Sequence, residues 1–147
     1  MKNIKFAIIL FAVAILNQSC ETYDDYNTDR PTNIGFVTTE IALVSLSEGQ
    51  SQTRPANVYI NNVADVDRTF NVVVYNEFNS TTTSPENYSF DSTVLIPAGS
   101  HDGTINITIT DVSLTPETTE FLTLAIEENP DYVSGGRVTV SLQNRLP

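Results

Sequence analysis

The chain has 147 residues and a formal net charge of −11, with eighteen acidic against seven basic side chains. A polyanion is repelled by phosphate backbones, which excludes nucleic-acid binding. One cysteine and one histidine exclude an internal disulfide and a zinc site of the usual His/Cys type within one chain.

Lys2 and Lys5 precede an unbroken apolar run from Phe6 to Leu16. A bilayer span needs about 20 such residues, whereas a signal-peptide core needs about 7–15. The run fits a signal peptide over residues 1–19. The stretch Leu16-Asn17-Gln18-Ser19-Cys20 resembles the lipobox of bacterial lipoproteins, in the variant form found in the Bacteroidota, with Asn17 at the usual Leu position. The resemblance implies that Cys20 is lipidated and becomes the first residue of the mature protein. The membrane is then a partner through that lipid, and several acyl chains hold it there effectively permanently. An ordinary secretory signal followed by a free thiol is the alternative. Without Lys2 and Lys5, five basic residues face eighteen acidic ones, a net charge of −13.

Residues 20–33 are polar, acidic and punctuated by Pro31, and show no periodicity, as expected of a flexible linker. Glu21, Asp24 and Asp25 resemble the acidic surface-export signal of Bacteroidota lipoproteins. That resemblance implies an outer-membrane protein exposed at the cell surface. Solvated linker charge, with the domain on the periplasmic face, is the other reading.

From residue 34 to 147 the pattern is that of an all-β domain. Ile34 to Leu46 predicts a first strand with a break near Thr38–Glu40. Ala56, Val58 and Ile60 predict the second; Phe70, Val72 and Val74 the third; Val94 and Ile96 a short fourth. Ile105, Ile107 and Ile109 alternate with polar residues in the clearest strand. Leu122, Leu124 and Ile126 form a sixth, and Val138, Val140 and Leu142 a seventh. Period-2 alternation of branched side chains marks half-buried strands. Seven strands at regular spacing predict a single seven-stranded antiparallel immunoglobulin-like sandwich, with a closed barrel as the alternative.

Glu48-Gly49, Asn87-Tyr88, the run Ile105-x-Ile-x-Ile into Asp111, and Glu117-x-x-Glu120-Phe121-x-x-Leu124 follow one another in an order that resembles the Calx-beta domain. The likeness covers about residues 34–145. It implies a two-sheet sandwich with a calcium site at one end, built from Glu48, Asn87, Asp111, Glu117 and Glu120. In an up-and-down alternation the loops carrying these residues fall at the same end. Two carboxylates of the family set are replaced, by Asn87 and Val112, and calcium wants 6–8 oxygen ligands.

A second acidic group, Asp65, Asp67, Asp102, Glu127, Glu128 and Asp131, is expected at the opposite end as solvated loop charge. His101 reads as an exposed turn residue without catalytic partners. Tyr59 and Tyr75 point outward from separate strands and are expected to pack across strands. Gly135-Gly136 reads as a hairpin turn, and the polar loop Asn79–Ser84 as a contact loop or a mobile one. These observations favour a lipid-anchored, non-catalytic interaction module with a protein or glycan partner. A calcium-binding domain is the first competitor, and a small surface hydrolase with paired carboxylates the second.

Overall fold

The structure is a computed structural model that describes residues 31–145. The expected signal peptide, Cys20 and nearly all of the expected linker lie outside the described residues.

Ten strands build two five-stranded sheets. In chain order they are β1 (Asn33–Phe36), β2 (Glu40–Leu46), β3 (Ser51–Ile60), β4 (Arg68–Val74) and β5 (Tyr88–Phe90), then β6 (Thr93–Ile96), β7 (Asp102–Thr110), β8 (Glu120–Ile126), β9 (Val133–Ser134) and β10 (Val138–Asn144). The first sheet has the order β5-β7-β3-β1-β9, and the second β2-β10-β8-β4-β6.

The alternating residues of both sheets meet in one core. Ile105, Ile107 and Ile109 of β7 are fully buried, as are Val58 and Ile60 of β3. From the second sheet come Leu122 and Leu124 of β8, Val138, Val140 and Leu142 of β10, and Val94 and Ile96 of β6. Each such side chain contributes roughly 1.5–3 kcal/mol on burial. The outward face of the β3–β7 pair is polar, with the Thr53 and Thr108 hydroxyls 2.8 Å apart and those of Ser51 and Thr110 also 2.8 Å apart.

The seven-strand, wholly antiparallel expectation is corrected in two ways. The chain breaks at Val37–Thr39, where the sequence placed a break. However, the two halves join different sheets. Val37 N–H still bonds Asn57 O of β3 at 3.0 Å, whereas the Thr39 carbonyl accepts from Thr139 N–H of β10 at 2.9 Å. One expected strand is therefore two, and β2 pairs parallel with β10. The short strands β5 and β9, three and two residues long, carry too few residues to show a period. β9 pairs parallel with β1. Gly135-Gly136 is not a hairpin turn: it continues alongside β1, with Gly135 N–H on Ile34 O at 2.7 Å and Phe36 N–H on Gly136 O at 2.9 Å.

β8 is buried on both faces, from Leu122 through Ile126. β4 lies beside its far half only, Val72–Val74 against Leu124–Ile126. The segment Ser80–Thr83 covers the rest. Thr81 Oγ1 accepts from Thr123 N–H at 3.0 Å, Thr82 Oγ1 accepts from Phe121 N–H at 2.9 Å, and Thr123 Oγ1 donates to Ser80 O at 2.8 Å. The Ser/Thr-rich loop thus completes a sheet edge with its hydroxyls, because the backbone N–H groups of β8 need partners once buried.

Candidate functional site

The five residues singled out for calcium sit around one end of the molecule, and the structure shows how each is used. The turn 47–50 joins the end of β7: Gly49 N–H bonds Asp111 O at 2.8 Å, and Asp111 N–H bonds Gln50 O at 2.9 Å. Gly49 has φ +77, which a turn here requires of glycine. Asn87 is fully buried. Its Oδ1 accepts from Val112 N–H at 3.1 Å and Ser113 N–H at 2.9 Å, and its Nδ2 donates to Thr83 Oγ1 at 3.3 Å. Asp111 is 2% exposed. Its Oδ1 accepts from Leu114 N–H at 3.3 Å and its Oδ2 from Asn144 Nδ2 at 2.6 Å. Glu120 Oε1 accepts from Thr115 N–H at 2.9 Å. Glu48 and Glu117 are exposed.

Asn87 and Asp111 therefore form a latch that fastens the β7–β8 loop to the segment before β5 and to the end of β10. Their oxygens accept from the N–H groups of that loop and from the Asn144 side-chain amide. In this arrangement the pair serves loop closure. Among the described residues, no three Asp, Glu, His or Cys side chains gather as a metal site.

A different site lies on the outer face of the first sheet, toward the opposite end. Gly35 of β1 pairs with Tyr59 of β3, and Tyr59 pairs with Asp102 of β7. Any side chain at Gly35 would strike the neighbouring segment: its Cβ would stand 2.6 Å from Gly136 N and 2.7 Å from the Gly135 carbonyl carbon. Glycine is required here because another backbone approaches closely. The result is an open groove of about 490 Å³ with a bare backbone floor at Gly35, Gly135 and Gly136.

Tyr59 walls this groove and is 45% exposed. His101 stacks on it, with centroids 5.3 Å apart and planes at 15°. His101 is not a free turn residue, since its Nδ1 lies 2.7 Å from Ile60 O. A carbonyl can only accept, so Nδ1 carries the proton. The Tyr59 ring is thus braced by a tethered imidazole and borders the groove. Asn33, Asn61 and Asp102 add polar groups to its rim. Asn61 Oδ1 accepts from Asn33 N–H at 2.9 Å, which orients the amide.

The sequence reading had Tyr59 pointing outward but did not join it to His101 or to the glycines. A glycine inside a strand, such as Gly35, was the signal that could have marked the groove. Of the acidic residues expected as solvated charge, Asp67 and Glu127 bind locally, at 2.8 Å to Ala98 N–H and 2.7 Å to Asn71 Nδ2.

No protein-family model and no curated protein matches the chain. Solved structures do. A candidate carbohydrate-binding protein from Bacteroides ovatus ATCC 8483 superposes with a TM-score of 0.61 at 11% identity, over 78% of this chain and 37% of its own. A protein of unknown function from Bacteroides ovatus gives 0.59 at 16% identity, over 76% and 44%. A second gives 0.55 at 18% identity, over 78% and 46%. This chain spans less than half the length of each. At such identities the likeness is one of fold, and the chain shares the two-sheet, all-β architecture of these Bacteroides proteins.

Proposed function

We propose that this chain is a lipid-anchored module of the cell envelope that binds glycan without catalysis. The observation that carries the reading is the Tyr59 groove: an exposed aromatic ring, braced by the His101 imidazole, beside a bare backbone floor and a rim of amides and one carboxylate. A pyranose has an apolar face for the ring and hydroxyls for the rim. The carbohydrate-binding description of one structural neighbour supports the same reading. Glycoside hydrolysis needs two carboxylates flanking the bond, whereas among the described residues Asp102 is the sole acidic one lining this groove. The apolar run before Cys20 supports lipid attachment, and the acidic cluster Glu21, Asp24 and Asp25 supports display on the outer face of the outer membrane. The ordered motifs from Glu48 to Leu124 support kinship with Calx-beta sandwiches in architecture, with the residues of the calcium end serving as a latch.

The test is retention of the full chain on immobilised neutral polysaccharides, alongside Tyr59→Ala. Retention by the native chain and a loss of at least about tenfold in affinity, ~1.4 kcal/mol, in the variant are expected. Equal retention of both proteins, or retention of neither, would sink the reading.

A further inference from the structure

The Tyr59 groove carries a single charge. Asp102 is exposed and, among the described residues, is the sole charged one lining the groove. It stands directly opposite Tyr59 in the β3–β7 pair. Directly opposed residues share one face of a sheet, with Cβ atoms about 4.5–5.5 Å apart. One small ligand group can therefore reach the phenol ring and the carboxylate together. The Ser100 hydroxyl holds the Asp102 backbone, donating to its carbonyl at 3.1 Å and accepting from its N–H at 3.0 Å. Among the described residues, no hydrogen bond or ion pair engages the Asp102 carboxylate itself.

The cations near this end are engaged elsewhere. Arg137 follows the floor residue Gly136, but its guanidinium carbon stands 3.7 Å from the centroid of the Tyr75 ring. There it lines a separate cavity with Tyr75, Glu77 and Glu128. Arg68 donates to Asn62 Oδ1 at 3.1 Å and to Asn62 O at 2.6 Å. The His101 Nδ1 proton is committed to Ile60 O. The charge of Asp102 thus stands uncompensated beside an aromatic ring, on a chain whose formal net charge is already −11.

We propose that the groove selects glycans carrying a free, protonated amine, with Asp102 as the residue that makes the selection. The proposal rests on the glycan reading of the groove and names its ligand class. An ammonium group donates a charge-assisted hydrogen bond to the carboxylate and is attracted by the Tyr59 ring. A hydroxyl in the same place also donates to Asp102, but without the charge, so a neutral sugar binds more weakly. A ligand carboxylate meets Asp102 with no cation to offset it and is repelled. Acetylation of the amine removes its charge and keeps the sugar ring, which reduces the ligand to the neutral case.

The experiment is an NMR titration of the full chain at low salt with the methyl glycosides of glucosamine, N-acetylglucosamine, glucose and glucuronic acid, following the Tyr59 ring signals. The glucosamine glycoside is expected to bind at least about fivefold more tightly than the glucoside. The N-acetyl glycoside should match the glucoside, and the glucuronide should bind more weakly than either. In Asp102→Asn, an exposed and nearly isosteric change, the glucosamine affinity should fall to the glucoside value. Glu48→Gln removes an exposed negative charge toward the opposite end and should leave the preference in place. Absence of the preference in the native chain, its survival in Asp102→Asn or its loss in Glu48→Gln would overturn the proposal; a Tyr59 shift with methyl glucoside would leave the groove reading standing. Nα-acetyl-lysine amide binding as tightly as the glucosamine glycoside would also overturn it, by showing a site for any ammonium group. No shift with any glycoside would sink the groove reading and this proposal together.

Discussion

The two ends of this sandwich spend their polar groups in opposite ways. At the Asn87–Asp111 end the side chains are buried, and their oxygens accept from loop N–H groups and from the Asn144 side-chain amide. At the Tyr59 end the rim amides of Asn33 and Asn61 also bind locally, to each other and to Pro31 O, but they stand exposed at the edge of an open groove, around a ring only partly covered. Residue type alone does not separate these cases. An acidic or amide residue beside a turn can hold the fold or meet a ligand. What distinguishes them is whether the backbone around it has donors left unsatisfied, because a buried unpaired donor costs about 1–3 kcal/mol.

The sharpest way to break the comparison is Asn87→Ala. The substitution leaves two half-covered loop N–H groups, those of Val112 and Ser113, without their acceptor and empties a fully buried side-chain site. A loss of about 3 kcal/mol, or a fall in Tm on the order of 10 °C, is expected in thermal unfolding. Polysaccharide retention at temperatures where the variant remains folded should be unchanged. Retention lost with the fold intact would mean that the latch end contacts the ligand.

Gly35→Ala should cost less, about 1–3 kcal/mol, since β1 and the Gly135-Gly136 segment must separate to admit a methyl group. Unlike Asn87→Ala, it should also weaken glycan retention, because the added carbon and the displaced segment alter the groove floor. Denaturant unfolding and the retention assay, run on the same preparation, read both effects.

The smallest expected effect is that of calcium. A ligand that binds the native state must raise its Tm by linkage. With Asn87 and Asp111 committed to N–H donors, the full chain should unfold at the same temperature in EDTA and in millimolar calcium. A calcium-dependent rise that disappears in Asp111→Ala would show that the latch opens to admit the ion, and would restore the calcium reading of this end.

Much of the architecture was legible because period 2 is a local property. The alternation of Ile105, Ile107 and Ile109 announces which face is inward whatever the strand pairs with, and these residues are indeed fully buried. The break, placed near Thr38–Glu40, was visible too, but not its consequence, that β1 and β2 belong to different sheets. That depends on which backbone edge is free on each side. Convergence of Glu48, Asn87, Asp111, Glu117 and Glu120 at one end followed from strand alternation. Their use as a latch did not, since it rests on the direction of N–H groups in the 111–115 loop.

The sequence by itself determined that residues 34 onward form an all-β domain with an alternating core, and that the chain is strongly acidic. These follow from composition and from spacing along the chain, where a strand's geometry imposes its own period. Only the tertiary structure decided that Tyr59 rests on His101 above a floor of glycines, and that Arg137 lies over Tyr75. Those contacts join residues about 40 and 60 positions apart, and no local rule specifies them. They arise because sheet order sets which strands are neighbours, and register then sets which side chains meet.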